Sequence, residues 1–435
     1  MYKYIQANKN NIYIFLLIFS FFFTSVLRLP FFGSKIQFCE IIFLFILPFS
    51  PIKKIFSLQI KENKIIFLSF LIFLSFEMLS SIISKSNSAI LATLGRFYLL
   101  TLFSYFYYYL NQIFISNNNY KNKLIKIFSI VIILLFIITI IGLTLIILEK
   151  YTIIFSYFVN YPYFGSVYRL QGFNAGPNFL ANLIILFTLL LIGLISKNIK
   201  NKWGIFFIIL ISLFCLILTF SKSIITFTLG ILIILFFKIY KLKKRIILLI
   251  SSLFFIIYIF ISHLIVTSNN SNLQESLKST NFTSDKILYQ YNETIFIETG
   301  YLILNRIEID IIRHNFLFGV GSGNFYKQLN YYRKNGFYPN KLPNFDPHST
   351  YLGLFAENGI FAFSTFIFIL IYIFNIFYNS PYLLNDNFIF TLFLIFIIFL
   401  IEASTTDILN YRHFWFFLAL SLSVLKNKTK INNLK

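Results

Sequence analysis

Long apolar runs, separated by short polar segments, make up most of this 435-residue chain. Most runs have the roughly 17 to 25 residues that a helix needs to cross a bilayer. Membrane β-strands would instead give segments of about ten residues with alternating polarity. The pattern predicts an all-α polytopic membrane protein with twelve spans, near residues 11–29, 36–52, 64–83, 89–115, 124–147, 178–196, 203–221, 223–240, 246–266, 350–378, 387–403 and 412–426.

Composition agrees with a membrane location and argues against nucleic acid as a partner. Hydrophobic residues form 58% of the chain and charged residues only 12%, about half the share in soluble domains. The net charge of +22 comes mostly from lysines in short loops and at both termini, which is the signature of membrane topology. Two cysteines in apolar runs and four scattered histidines do not have the spacing of a metal site, so we expect no metal cofactor.

The distribution of basic residues also predicts which loops face outward. With both termini in the cytoplasm, the basic short loops lie inside the cell. Two long segments then face outward, and we divide the chain accordingly: spans one to five in 1–147, spans six to nine with outer loop 148–177 in 148–266, a large cap in 267–349, and the last three spans with a cytoplasmic tail in 350–435. A structureless loop as long as 267–349 is improbable, so the cap should fold.

Two outward positions in the middle of the chain could bind an anion. Arg169 precedes a turn made by Gly172, Gly176 and Pro177, and Asn178 then begins the next predicted helix. An arginine beside a helix N-terminus suits an anion, although Arg169 could equally reach lipid phosphates. Lys222 lies at the tip of a tight helical hairpin, where it marks either a site or the end of a helix.

The cap and the span after it contribute the other candidates. Arg306 lies on the polar face of a predicted helix over 300–317, where it could form an ion pair with Asp310. His348 opens the tenth span and is the side chain best suited to move protons near neutral pH. Glu357 follows within three turns and either orients a sugar or pairs within the bundle. The glycine-rich turn 319–323 follows no strand, so it predicts a tight reversal and not a dinucleotide site.

These motifs together resemble the bacterial O-antigen ligase and polymerase family. They are the segment from Arg169 to Asn178, the hairpin Ser221–Ser223, Arg306 before the glycine turn, and the block from His348 through Glu357 to Gly359. The twelve-span layout with a large loop between spans nine and ten is similar too. One departure is Lys222, where the family usually has arginine. Lysine keeps the charge but cannot bind phosphate through two parallel hydrogen bonds.

The resemblance implies a glycosyltransferase of the bacterial inner membrane whose site faces the periplasm. The donor would be a glycan on undecaprenyl diphosphate, and the acceptor a lipid A–core sugar for a ligase or another lipid-linked glycan for a polymerase. Arg306 and His348 would be catalytic, with His348 as the general base in a metal-independent, inverting transfer. Arg169, Lys222, Asn178 and Glu357 would bind the diphosphate or the glycan. The membrane lipid is the remaining partner.

Two alternatives stay open from the sequence. Ligase is favoured over polymerase because a single outer loop dominates in size, but the residues do not decide between them. A transporter of lipid-linked oligosaccharide, without catalysis, would be expected to show internal repeats or broken helices with charges near the bilayer midplane. No repeat is evident, and Glu77, Arg96 and Glu402 are the clear charges within predicted spans.

Overall fold

In the residues that the structure describes, most helices are apolar and the strands form two small sheets. The structure is a computed structural model and describes residues 12–23, 37–116, 120–148, 156–161, 165–195, 202–240, 243–268, 283–340, 342 and 344–433. Its helices are α1 (Ile12–Phe22), α2 (Phe38–Ile46), α3 (Ile52–Glu62), α4 (Lys64–Ile83), α5 (Asn87–Ser116), α6 (Tyr120–Ile147), α7 (Pro177–Ile195), α8 (Lys202–Thr219), α9 (Ser223–Tyr240), α10 (Lys244–His263), α11 (Gly300–His314), α12 (Phe325–Lys334), α13 (Thr350–Tyr378), α14 (Asn387–Glu402) and α15 (Arg412–Asn433).

An apolar helix lies within each of the twelve predicted spans, so the helical multi-pass class is confirmed. Within the described ranges, six helices are long and apolar enough to cross a membrane, or seven if a bent pair counts as one span. The six are α4, α5, α6, α7, α10 and α13. Helices α1, α8, α9 and α14 are apolar but shorter. The number twelve and the orientation therefore stay predictions.

The bent pair consists of α2, with the turn that extends it to Phe49, and α3. The two parts differ in direction by 101°. Pro48 and Pro51 flank the bend, and each lacks the N–H that would continue a helix. Past the bend, α3 exposes Lys53 and Lys54. The predicted span 36–52 thus covers the apolar part of this pair and ends at the bend.

The centre of the bundle is formed by helices that are apolar on every side. Helices α7 and α14 are buried along nearly their whole length, as expected for helices enclosed by others. Around them, α5 packs along α15 and α4 packs along α13. Trp415 and Phe416 of α15 are both buried in this core. The helices α7 and α13, which carry Asn178 and Glu357, are therefore held by a continuous apolar core.

Both sheets lie in the segments predicted to face outward, except that β3 begins within the last three residues of the ninth predicted span, and no strand is predicted in either place. Strands β1 (Ser156–Tyr161) and β2 (Gly165–Leu170) form an antiparallel hairpin. Strands β3 (Leu264–Ser268), β4 (Thr283–Tyr291) and β5 (Thr294–Thr299) form an antiparallel sheet in the order β3-β5-β4. Strand β3 follows α10 without a break, and β5 leads directly into α11. This sheet therefore connects the cap rigidly to the top of α10.

Helix α11 forms the core of the cap together with α12. It ends at His314, three residues before the predicted 317. Its buried residues Ile303, Leu304, Ile307 and Ile311 pack with Phe325 and Leu329 of α12 and with Tyr338, Leu342 and Ala356. Residues 283–340 of the predicted cap thus form two strands and two helices.

The glycine turn lies against a break in α13. Gly359 has φ +74° and ψ −177°, which interrupts the helix. The backbone N–H groups of Val320 and Gly321 donate to the carbonyls of Ala356 and Glu357 at 3.1 and 2.7 Å. Phe316 accepts from the Ile360 N–H at 3.0 Å. The turn thus satisfies backbone groups that the break leaves without helical partners.

Candidate functional site

The side chain of Arg169 contacts Asn178 at the start of α7. Arg169 follows from β2, and its Nη2 donates to Asn178 Oδ1 at 3.0 Å. Its Nε donates to the carbonyl of Thr219, the last residue of α8, at 3.0 Å. Ser221 Oγ donates to the same Asn178 oxygen at 3.0 Å. A guanidinium has five N–H donors, so Arg169 can hold this geometry and still donate to an anion.

Lys222 occupies the turn between α8 and α9, beside the cap. Its Nζ donates to the carbonyl of Ser262 at 3.0 Å and lies 3.9 Å from the centre of the Tyr301 ring. Burial, assisted by the Arg169 guanidinium, lowers the pKa of Lys222 to about 7. The charged form of Lys222 is therefore poorly hydrated at this position. A bound anion would favour that charged form.

His348 lies on the other side of this group, just before α13. Its ring packs against Tyr301, with centroids 4.9 Å apart, and against Phe345 at 5.1 Å. Burial and the Lys222 ammonium lower the pKa of His348 to about 4. At neutral pH the imidazole is consequently uncharged and able to accept a proton. The structure thus brings together Arg169, Asn178, Lys222 and His348 from separate parts of the chain.

Tyr301, which the sequence analysis did not select, lies at the centre of this arrangement. Its position follows from the sheet: Leu264 pairs with Glu298, so the residues after β5 lie beside the end of α10. Thr299 Oγ1 donates to the Ser262 carbonyl at 2.9 Å, the same oxygen that Lys222 contacts. The start of α11 is therefore fixed directly over the α8–α9 turn.

His263, at the end of α10, contacts the face of α11 that carries Tyr301. Its Nδ1 is 2.8 Å from the Ile259 carbonyl, which can only accept, so Nδ1 carries the proton. Its Nε2 then accepts from Asn305 Nδ2 at 2.7 Å. Tyr301, Asn305 and Glu308 stand at i, i+4 and i+7, so one face of α11 covers the site. The helix thus has a polar face besides the one that carries Arg306, and the spacing of Tyr301, Asn305 and Glu308 in the sequence could have identified it.

Arg306 lies on another face of α11 and is paired elsewhere. Its Nη1 is 2.6 Å from Glu298 Oε2 on β5, and 44% of its side chain is exposed. The alternative pair with Asp310 does not form; Asp310 instead accepts from the Tyr332 hydroxyl at 2.6 Å. In this structure Arg306 is thus held by a carboxylate and stands apart from the contacts around Tyr301. Its catalytic role stays a prediction.

Glu357 is buried in α13 and takes part in a polar network within the bundle. Its Oε1 accepts from the Phe325 N–H at 3.2 Å, and its Oε2 is 4.0 Å from Arg96 Nη2. Arg96 is also paired with Glu77, which accepts from Asn358 Nδ2 at 3.1 Å. These contacts favour the second interpretation of Glu357, in which it pairs inside the bundle. They connect α4, α5, α13 and the start of α12.

Glu308 is a second buried carboxyl that the sequence analysis overlooked. It is fully buried, faces the backbone N–H groups of His348 and Ser349, and lies near Glu357. Burial, assisted by the Glu357 charge, raises the pKa of Glu308 to about 8. The carboxyl is therefore largely protonated at neutral pH, and it lies beside the backbone that carries His348.

This raised pKa predicts a loss of stability as pH rises from about 4.5 to about 8. A carboxyl with an ordinary pKa of 4.5 and a folded pKa of about 8 gives its full stability below pH 4.5, and that stability declines as pH rises through 8. We expect Glu308→Gln, which stays neutral, to lose less thermal stability between pH 5 and 9 than the parent protein. Exposed Glu293→Gln is the control and should follow the parent. Parallel pH curves for parent and Glu308→Gln would contradict the raised pKa.

Comparison with known proteins agrees with the motifs. A family model described as O-Antigen ligase matches residues 206–367. The matched region contains Lys222, Arg306, His348 and Glu357, whereas Arg169 and Asn178 precede it. No curated protein matches the chain. Among the residues that the structure describes, no group of three or more His, Cys, Asp and Glu side chains is placed to hold a metal ion.

Proposed function

We propose that this chain, a member of the O-antigen ligase and polymerase family, transfers a glycan from undecaprenyl diphosphate to a lipid A–core acceptor. The observation that carries the proposal is the contact of Lys222 and His348 with one tyrosine ring, beside Arg169 and Asn178. A cation suited to a diphosphate and a neutral base suited to a hydroxyl are thus held side by side. The site would face the periplasm of the inner membrane.

In the proposed reaction, the acceptor hydroxyl attacks the anomeric carbon of the donor sugar. His348 takes the hydroxyl proton as the new carbon–oxygen bond forms. The bond from the anomeric carbon to the diphosphate breaks, and its electron pair leaves with undecaprenyl diphosphate. Direct attack inverts the anomeric centre. One displacement therefore accounts for every bond and for the proton.

The cations would stabilise the charge that builds up on the leaving diphosphate. Lys222 and Arg169 are preorganised by hydrogen bonds to the Ser262 and Thr219 carbonyls, so little reorganisation is needed during the reaction. A bound diphosphate would also offset the Lys222 charge that opposes protonation of His348. The base would then strengthen when the donor is present. Arg306 would assist only after exchanging Glu298 for substrate.

The experiment is glycan transfer by the purified full-length protein. A lipid-diphosphate glycan and lipid A–core are supplied together, separately, and with a chelator. The proposal expects glycosylated lipid A–core, unchanged by chelation. Elongated donor without the acceptor would assign a polymerase instead. Movement of the donor across a vesicle membrane without glycan transfer would assign a transporter. Loss of transfer activity on chelation alone would overturn the metal-independent mechanism.

A further inference from the structure

The Tyr301 side chain joins three functional groups that the chain brings from different elements. The Lys222 ammonium lies over its ring, 3.9 Å from the centroid. The His348 ring is 4.9 Å away, centroid to centroid, and the His263 ring 6.3 Å away in an edge-on arrangement. A lysine over an aromatic face is attracted by the negative face of the ring, most strongly where water is excluded. Tyr301 therefore attracts the cation and packs against the base at once.

The surroundings of Tyr301 limit how far it can move. It is the second residue of α11, immediately after the sheet that pairs Leu264 with Glu298. One turn further, Asn305 holds His263 at 2.7 Å. The Ser262 carbonyl accepts from both Thr299 and Lys222. Ring, lysine and the end of α10 thus form one connected group beneath the cap.

We propose that Tyr301 is a positioning residue that fixes the separation between the diphosphate-binding Lys222 and the base His348. The inference rests on the proposed function. Its basis is that transfer requires the donor diphosphate and the acceptor hydroxyl to be held in one geometry. An ammonium tied only to a carbonyl could swing with its four-carbon stem, whereas the ring gives it a second fixed contact. Displacements of about 1 Å can cost roughly 100-fold in rate.

Kinetics of ring variants provide the first test. Tyr301→Phe keeps the ring face and should retain kcat within a few-fold. Tyr301→Leu should lose about 10- to 100-fold in kcat, with a smaller change in the donor KM, because binding survives better than geometry. Exposed Tyr326→Leu on α12 is the matched control and should behave as the parent. Parent-like kinetics in Tyr301→Leu would overturn the proposal. If Tyr301→Leu does not fold, Tyr301→Met, which fills the space without a ring, replaces it.

A second readout needs no turnover and so separates this inference from the proposed function. The titration midpoint of His348, followed by NMR of labelled histidine in the detergent-solubilised protein, reports the nearby Lys222 charge. The other titratable groups around it are His263 on α10, Glu308 on α11 and, through Lys222, Arg169. Release of Lys222 in Tyr301→Leu should raise the titration midpoint of His348. The His348→Ala variant, which lacks that histidine, identifies its NMR signal. An unchanged midpoint would overturn the inference even if transfer is confirmed.

A double variant distinguishes a displaced charge from a general loss of burial. Lys222→Met should raise the His348 midpoint by removing the charge. If Tyr301 acts by holding that charge, Tyr301→Leu in the Lys222→Met background should add little. An equal shift in both backgrounds would mean that the ring only buries His348, and would overturn the positioning role. If the parent protein shows no glycan transfer but the His348 titration midpoints shift as expected, the proposed function would be wrong and the positioning of Lys222 by Tyr301 would stand.

Discussion

Replacing His348 by alanine is expected to lower glycan transfer by about 10²- to 10⁴-fold, the usual contribution of a general base. The ring is uncharged at neutral pH because burial and Lys222 lower its pKa to about 4, and it becomes a stronger base when bound diphosphate offsets the Lys222 charge. Alanine removes the proton acceptor but leaves Lys222 tied to Ser262 and Tyr301. Donor binding should therefore change much less than turnover.

The measurement is single-turnover transfer beside equilibrium binding of the lipid-diphosphate donor. His314→Ala is the matched control, because His314 is also in the cap region but 72% of its side chain is exposed and its contacts are with Asp310, one turn back. It should keep parent activity. Near-parent transfer by His348→Ala would exclude His348 as the base. Equal losses of binding and transfer would make it a binding residue.

Gly359→Ala is expected to destabilise the fold by about 3 kcal/mol or more, the largest stability effect that we predict. The backbone angles at Gly359 belong to a region that is nearly restricted to glycine. In addition, a Cβ there would lie 2.1 Å from the carbonyl oxygen of Leu317. That atom belongs to the backbone just before the glycine turn and cannot rotate away. The turn and the helix would have to separate.

Gly336→Ala provides a control for the cost of a positive φ at a glycine where a Cβ meets no steric overlap. Gly336 has nearly the same φ, +75°, but nothing lies within 4 Å of a Cβ built on it. Its alanine variant should lose only about 1–2 kcal/mol. Thermal unfolding in detergent compares the two, and limited proteolysis reports whether the cap has loosened. Equal stability of the two variants would show that the turn does not depend on its close contact with α13.

The positions of the helices could be predicted because they depend on local sequence. Helix α4 runs from Lys64 to Ile83, matching the predicted 64–83, since an uninterrupted apolar run ends where Ser84 and Lys85 begin a turn. The break at Gly359 gave no such signal. Asn358 and Gly359 sit in an apolar run that can continue as a helix, and only the glycine turn, some forty residues earlier, supplies the partners for the broken backbone.

The candidate site was recovered in part, and the missing part depended on long-range pairing. Arg169 and Asn178 are nine residues apart, so one turn could bring them together. Tyr301 reaches Lys222 because Leu264 pairs with Glu298 in a sheet, and these two residues are 34 positions apart in the chain. The same pairing places Glu298 beside Arg306, which explains why the expected partner Asp310 is not used. Sequence spacing cannot indicate such contacts.

The break in α13 divides that helix into two parts that form backbone hydrogen bonds with different residues of the cap. Its outer part, Thr350 to Asn358, is bonded through the carbonyls of Ala356 and Glu357 to the glycine turn, and Gly359 lies where its inner part begins. The inner part is bonded to the cap as well, because the Ile360 N–H donates to the Phe316 carbonyl just before the glycine turn. Both parts of α13 are therefore attached to the cap by backbone hydrogen bonds. His348 lies two residues before the outer part, so a load that bound substrate places on the cap would be carried along this backbone to the base.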